Sequence, residues 1–170
     1  MSKIYQYFVE GECEEKFINS FKVAPINKVL SGKVEVFNFI NNKISNQRIA
    51  VLKRNTIIIL VYDIDVEKSQ VLEENIKKLN KYGFKNIIHI QSIKNFEDEL
   101  VYSTKLNNIN DMFNTEGKDE FKKAFIKQKD IVNKLEKVEF DINKIWSRVN
   151  SKEPFSKYSN QKDLKTIKTI

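Results

Sequence analysis

The chain has 170 residues, the length of one domain with a single sizeable core, and a formal net charge of +7. Its 41% hydrophobic residues, with only four Gly and two Pro, exclude a disordered, collagen-like or linker-dominated chain. One Cys and one His exclude an internal disulfide framework, a Cys-rich zinc site and the usual His-based schemes, so any chemistry must use carboxylates, lysines or hydroxyls.

No segment of the sequence predicts contact with a membrane. The longest apolar run, residues 57–62, is far shorter than the roughly 20 residues that a membrane-spanning helix needs. Acidic residues follow the first apolar stretch closely, so the apolar core of a signal peptide is missing and we expect a cytoplasmic location. The basic excess permits a polyanionic partner, and 27 Lys against three Arg suit diffuse attraction to phosphates better than bidentate reading of bases.

Strands and helices are predicted to alternate up to about residue 100. Residues 4–9 are rich in aromatic and β-branched side chains and predict a strand, and Phe17, Ile18 and Phe21 at helical spacing predict the helix that follows. The remaining predicted elements are a strand around 34–37, a short helix ending at 49–52, an apolar strand at 56–62, a helix ending near Gly83 and a strand at 86–90. This alternation predicts an α/β fold, with a mostly parallel central sheet flanked by helices.

The pattern changes beyond residue 105, where apolar residues recur with a helical period only. They are Phe121, Phe125, Ile131, Leu135, Ile142, Ile145, Trp146 and Val149. We therefore predict an α/β core over residues 1–105 and a helical extension, packed on that core, over 106–150. Residues 151–170 read as a polar, basic tail whose apolar residues lie too far apart to pack firmly.

Two of the predicted strands end in acidic residues. The first runs into Glu10 and Gly11, and the most apolar one runs into Asp63 and Asp65. Parallel sheets bind ligands beyond the carboxyl ends of their strands, so we expect Glu10, Asp63 and Asp65 to converge. In a strand the two Asp would point to the same side and supply oxygens to one Mg²⁺ ion, with Glu10 binding metal or transferring a proton. The structural alternatives are a helix cap for the Asp pair and an ordinary turn for Glu-Gly.

These segments, FVEGECEEKF at residues 8–17 and IILVYDID at residues 58–65, resemble the Toprim domain. Topoisomerases, bacterial primases and the overcoming-lysogenization-defect nucleases often found in phage defence share that domain. Its signature is a Glu-Gly after the first strand and an Asp-x-Asp after a later one, and both occur here in that order. The resemblance covers the chain up to about residue 100 and is closest in style to small stand-alone Toprim nucleases.

The resemblance implies a Toprim-like Rossmannoid fold and Mg²⁺- or Mn²⁺-dependent chemistry on the phosphodiester bonds of DNA or RNA. Glu10 would be an acid/base group or metal ligand, and Asp63 and Asp65 would be metal ligands. The sequence departs from the family pattern at residues 66–68, where many members have a Gly, which leaves the loop geometry open. Without an ATPase, primase or strand-cleaving tyrosine domain, topoisomerase or primase activity is not expected.

Residues 92–100 follow the last predicted strand at the same edge of the sheet. Lys94 can neutralise a phosphate there, and Glu97 can hold a second metal ion, because two-metal nucleases need further carboxylates about 4 Å from the first ion. The alternative for Glu97 is a solvated first turn, in which acids favour the helix dipole. The dipole also explains Glu12 and Glu14, which we rank below Glu10.

Four other features are assigned no function. His89 alternates with isoleucines and is predicted to be a hydrogen-bonded interior residue. Acidic neighbours of Cys13 disfavour its thiolate, and Trp146 is predicted to lie in the core. The lysines between residues 118 and 129 could flank a nucleic-acid path, but a charged solvent face of a helix explains them as well.

Two functions remain open at this stage. One is a Mg²⁺-dependent Toprim nuclease acting on DNA or RNA, in phage defence as the family resemblance suggests. The other is a non-catalytic module of the same fold that acts through a partner protein. A homo-oligomer fits either function.

Overall fold

A computed structural model describes residues 3–65, 69–151, 153–158, 164–165 and 167–168. The strands in this part of the chain are β1 (Ile4–Val9), β2 (Lys33–Val36), β3 (Thr56–Asp63) and β4 (Ile87–Ser92). The α-helices are α1 (Glu12–Phe21), α2 (Asn46–Ala50), α3 (Gln70–Lys81), α4 (Phe96–Tyr102), α5 (Lys118–Lys127) and α6 (Ile131–Glu136). A short 3₁₀ helix at Ile109–Met112 precedes α5.

The four strands form one parallel sheet in the order β2-β1-β3-β4. The predicted α/β fold with a parallel central sheet and flanking helices is therefore confirmed, and its topology is Rossmann-like. From β1 the chain moves outward to β2, then crosses back to β3 and continues to β4. The direction of winding thus reverses between β1 and β3, which are neighbours in the sheet. Crevices at such reversal points are where open α/β sheets bind ligands.

Alternate side chains of each strand enter two separate cores, one on each face of the sheet. On one face Tyr7, Val9, Ile59 and Val61 pack with α1, α4, α5 and α6. On the other face Phe8, Ile58 and Leu60 pack with α2 and α3. Because β3 is buried on both faces, its sequence is a continuous apolar run rather than an alternating one.

The helical extension shares the first of these cores. Phe121 and Phe125 of α5, and Ile131 and Leu135 of α6, are buried with the side chains of α1 and the sheet. The helical period at residues 142–149 does not produce a helix, however, because residues 142–146 form turns. Trp146 has a positive φ of 58°, which no α-helix contains, although its side chain is buried as predicted.

The described part of the basic tail packs more firmly than its sequence predicts. Phe155 is fully buried in the core on the α2 and α3 face. Ile167 is buried on the opposite face, and its carbonyl oxygen accepts a hydrogen bond from the N–H of Leu30 at 2.7 Å. The spacing of hydrophobic residues does not predict these contacts, because a single buried aromatic or aliphatic residue produces no repeating pattern in the sequence.

None of the helices that the structure describes has the length and apolar character required to cross a bilayer.

Candidate functional site

Glu10 and Asp63 meet at the point where the winding of the sheet reverses. Glu10 directly follows β1, Asp63 is the last residue of β3, and Val9 of β1 is the register partner of Val61 of β3. The backbone N–H of Asp63 donates a hydrogen bond of 3.0 Å to Glu10 Oε2. Two acids 53 positions apart in sequence are thereby brought into contact, as we expected from the carboxyl ends of parallel strands.

A cleft of about 320 Å³ opens beside this contact, on the face of the sheet that α1, α4 and α5 cover. Asp63 continues the row of Ile59 and Val61, which explains why its side chain belongs to this face. The residues lining the cleft are Glu10, Gly11, Glu12, Cys13, Glu14, Asn38, Asp63, Glu97, Lys122 and Ile126. Five of the ten are acidic, in a chain whose net charge is +7.

Glu14 is buried although it belongs to the first turn of α1. It shares the helix face of Phe17, Ile18 and Phe21, and only 5% of its surface is exposed. Gly11, just before the helix, has extended backbone that any residue adopts, so its φ does not require glycine. A Cβ at this position would instead lie 3.2 Å from Glu14 Oε2. Gly11 therefore provides the space in which the Glu14 carboxylate folds back toward the cleft.

Burial and mutual repulsion favour the protonated forms of these acids. Burial raises the pKa of Asp63 to about 9, the charges of Glu10 and Glu14 add to the shift, and the Ser92 hydroxyl opposes it. Burial also raises the pKa of Glu14 to about 7, and Glu10 adds to that shift although a backbone N–H opposes it. The pKa of Glu10 is raised too, mainly by burial. The cluster consequently favours bound protons or a bound cation.

One oxygen of this cluster lacks a regular hydrogen bond. Neither Asp63 Oδ1 nor the hydroxyl of Ser92, the register partner of Asp63 on β4, forms a hydrogen bond of regular geometry among the described residues, although the hydroxyl lies near enough to Asp63 to lower its pKa. Leaving a buried polar atom unpaired costs about 1–3 kcal/mol, so such atoms need an explanation. A ligand that binds Asp63 in the cleft would provide one.

Glu97 and Lys122 form an ion pair inside the cleft. Glu97, in the first turn of α4, is 5% exposed, and its Oε1 lies 3.4 Å from Lys122 Nζ on α5. Burial lowers the pKa of Lys122, but the Glu97 carboxylate outweighs that effect and the pKa is raised overall. Lys122 thus stays charged and supplies positive charge within this acidic cleft.

Asp65 and Lys94 lie differently from Glu10 and Asp63. Asp65 is two residues beyond the end of β3, so strand alternation does not fix its direction, and it is exposed and not part of the cleft lining. Its charge nevertheless contributes to the raised pKa of Glu10, after burial. It does not cap α3, whose N-cap residue is Ser69. Lys94 is exposed, is absent from the cleft lining and lies 3.9 Å from Asp98.

The departure from the Toprim pattern at residues 66–68 lies outside the described residues.

Glu99, two residues after Glu97, has a structural role. It is fully buried, and its Oε1 accepts hydrogen bonds from the Ile93 N–H at 2.8 Å and from Arg148 Nη2 at 2.7 Å. Its Oε2 accepts the N–H of Trp146 at 2.9 Å. One carboxylate therefore ties the loop after β4 to the segment that follows α6.

The surroundings of Cys13 and His89 keep both side chains unreactive, as the sequence predicts. Burial raises the pKa of the Cys13 thiol to about 12, and the charges of Glu14 and Glu97 add to the shift. Burial lowers the pKa of His89 to about 4, and its Nδ1 lies 3.1 Å from the hydroxyl of Tyr62. A thiol and an imidazole held neutral in this way do not act as nucleophile or as acid.

Sequence reasoning underrated Glu14 and Lys122, and one signal could have identified both. Glu14 precedes Phe17 and Ile18 by three and four positions, and Lys122 precedes Phe125 and Ile126 in the same way. A charged residue that precedes a buried helical stripe in this way lies beside that stripe. The buried Glu14 then has to be paired or functional, because burying an isolated charge is costly, and the half-exposed Lys122 can reach a buried partner. Asn38, which a loop brings to the cleft, offers no comparable signal.

The donor set suits a hard divalent cation, because carboxylate oxygens are the ligands that Mg²⁺ prefers. The Glu10 carboxylate contacts the backbone of Asp63, and Asp63 Oδ1, which has no hydrogen bond of regular geometry, can serve as a metal ligand. Within the described ranges, however, no group of three or more His, Cys, Asp and Glu side chains is already spaced as a metal site. Side chains would have to rotate to complete a coordination shell.

Comparison of the chain with protein-family models, with curated proteins and with solved structures finds no match in any of the three.

Proposed function

We propose that the chain is a metal-dependent nuclease of the Toprim type, which uses Mg²⁺ or Mn²⁺ to hydrolyse phosphodiester bonds of DNA or RNA. The observation that carries the proposal is the contact of Glu10 with Asp63 at the reversal point of the sheet, where Asp63 Oδ1 is buried and has no hydrogen bond of regular geometry. The Glu-Gly and Asp-x-Asp motifs that resemble the Toprim signature contribute the same two acids. Sequence motif and geometry thus point independently to one position.

Each acid has a distinct place in this proposal. Glu10 and Asp63 would hold the cation, and Asp65 would contribute a further oxygen from the rim. A divalent ion held there would supply polarisation of a phosphoryl oxygen and activation of water. Alternatively, Glu10, whose pKa is raised mainly by burial, would transfer a proton at its carboxylate. Glu97 holds Lys122 in the cleft, where the ammonium can face a phosphate.

The charge distribution supports a polyanionic substrate. α5 carries Lys118, Lys122, Lys123 and Lys127, whose residues are exposed, and Lys122 also lines the cleft. Ammonium groups attract phosphates over about a Debye length, roughly 8 Å at physiological salt. The lysines thus offset the acidic lining for an approaching nucleic acid. We further propose a cytoplasmic location and, by resemblance, a role in phage defence that involves a partner protein or a second copy of the chain.

The alternative is a non-catalytic module that acts through a partner protein. The ion pair between Lys122 and Glu97 favours it, because an internal ammonium neutralises part of the cluster without any metal. Protonation of Asp63, whose pKa burial raises to about 9, would neutralise another part. In that case the acids would only maintain the shape of the cleft.

A cleavage assay separates the two functions. The full chain is incubated with single- and double-stranded DNA and with RNA, in Mg²⁺, in Mn²⁺ or in EDTA. We expect metal-dependent cleavage that Asp63→Ala reduces on the order of a hundredfold or more, because a lost metal ligand forfeits stabilisation of transition-state charge. Glu136→Ala, on the exposed end of α6, is the control and should cleave normally. Equal cleavage by both variants would show that the carboxylates are not catalytic, and metal binding without cleavage would favour the module.

A further inference from the structure

We propose that the cleft takes a single divalent cation, and that the Lys122 ammonium occupies the place at Glu97 that a second cation would take in a two-metal site. The inference rests on the proposed function for the first cation, at Glu10 and Asp63. It assigns to α5, which lies outside the α/β core, a direct part in the charge balance of the site.

Glu97 lies where a ligand of a second metal ion would be expected. Among the acids of the cleft it is the one that comes from α4, the helix that follows β4, whereas Glu10 and Asp63 belong to the ends of the neighbouring strands β1 and β3. It would be the natural ligand for a second ion, since two-metal centres use carboxylates from separate elements to hold ions about 4 Å apart. Its Oε1, however, already lies 3.4 Å from the Lys122 ammonium.

The helix that carries Lys122 is held firmly in place. The adjacent Phe121 and the later Phe125 are fully buried, so the backbone of α5 is fixed against α1 and the sheet. Ile126, one turn after Lys122, also lines the cleft, so this face of α5 forms one of its walls. Lys122 therefore extends from a fixed wall toward a buried carboxylate, although about half of its side chain is exposed to solvent.

The charge of the Lys122 ammonium opposes the binding of a metal ion at Glu97. A divalent ion bound at Glu97 would be repelled by the ammonium with twice the energy that a monovalent ion would meet. If the ammonium moved away, the incoming ion would be the counter-charge that the buried Glu97 carboxylate has left. Binding at Glu97 Oε1 therefore competes with an existing ion pair, whereas neither Glu10 nor Asp63 is ion-paired with Lys122 in the described structure.

Titration with Mn²⁺, followed by the electron paramagnetic resonance of the free ion, tests the inference on the full chain without any substrate. We expect the parent chain to bind one Mn²⁺. Lys122→Gln should bind a second Mn²⁺, and Glu97→Gln added to Lys122→Gln should return the number to one. Lys123→Gln, the matched control on the neighbouring exposed position, should bind one ion with the affinity of the parent. Circular dichroism checks that each variant is folded.

The outcomes distinguish this inference from the proposed function. Two ions bound by the parent chain, or one ion bound equally by the parent and by Lys122→Gln, would overturn the inference and leave a metal-dependent site intact. A parent chain that binds no Mn²⁺ would overturn both. Gain of a second ion by Lys123→Gln as well would show a general effect of net charge and would also overturn the assignment of Lys122.

Discussion

Replacing Asp63 by Asn tests the electrostatic description of the cleft most directly. Asn has nearly the shape of a protonated Asp but cannot ionise. Burial raises the pKa of Asp63 from 3.8 to about 9, so the folded chain binds this proton more tightly than the unfolded chain does. Between these two values folding takes up a proton. Stability is therefore highest below the unfolded value and falls as the pH rises toward the folded one.

The size of the effect follows from proton linkage. One proton taken up on folding lowers the free energy of unfolding by about 1.4 kcal/mol for each pH unit. From pH 4 to pH 7 the parent chain should lose up to about 4 kcal/mol that Asp63→Asn retains. For a chain of this size 1 kcal/mol corresponds to roughly 2–4 °C in Tm. Without metal, the variant should thus melt well above the parent at neutral pH and close to it at pH 4.

The assay is urea or thermal unfolding of both chains from pH 4 to pH 8, in EDTA and then in Mg²⁺. Mg²⁺ should stabilise the parent by about 2.7 kcal/mol at one hundred times its Kd, because it binds the folded chain through ionised Asp63. Asp63→Asn should respond little to the ion. Asp111→Asn, at an exposed position of the 3₁₀ helix, is the matched control and should follow the parent.

Two results would refute this reasoning. If Asp63→Asn is less stable than the parent at pH 8 in EDTA, the Asp63 carboxylate is ionised and well paired in the folded chain. If the two chains show parallel pH profiles, burial does not raise the pKa of this group. Where such parallel profiles are offset by a constant gain of stability in Asp63→Asn, that gain comes from packing.

Three further predictions concern stability and the shape of the site. Glu99→Ala should lose about 3–5 kcal/mol in urea unfolding, because it leaves the N–H groups of Ile93 and Trp146 without their acceptor and removes the carboxylate partner of the partly buried Arg148, whereas Glu139→Ala, from an exposed pair, should lose at most about 1 kcal/mol. Phe155→Ala should lose about 3–5 kcal/mol, and a loss near zero would mean that this part of the tail does not pack. Gly11→Ala should change stability by only about 1 kcal/mol but weaken Mg²⁺ binding measured by calorimetry, because the added Cβ displaces the Glu14 carboxylate from the acidic cluster. Unchanged binding would show that the space beside Gly11 does not matter for the ion.

Local sequence was sufficient for the α/β core. The boundaries of β1 agree with the predicted residues 4–9, and β3 extends the predicted strand by Asp63 alone. Such strands can be read from the sequence because a buried parallel strand needs a run of apolar, β-branched residues that few other structures tolerate. The carboxyl ends of these strands share one edge of a parallel sheet, so the neighbourhood of Glu10 and Asp63 was predictable too.

Local patterns failed where one long-range contact decides the backbone. Residues 142–149 have a helical period, yet the N–H of Trp146 donates to the Glu99 carboxylate, and the backbone adopts a left-handed conformation at this residue. A hydrogen bond to a buried carboxylate about fifty positions away stabilises this left-handed backbone conformation, and the spacing of hydrophobic residues gives no information about such a contact. The prediction that Asp65 shares the strand geometry of Asp63 was wrong, because β3 ends at Asp63.

By itself, the sequence determined the class of the fold, the strand ends that carry acids and the chemistry available to them, because these depend on residue type and short-range order. Only the tertiary structure decided which charges share the cleft. It brought the Lys122 ammonium from α5 to Glu97 on α4, and it buried Glu14 beside Glu10. The energy of a charge depends on its burial and on its neighbours within a few ångströms, and for these residues the packing of distant helices sets both.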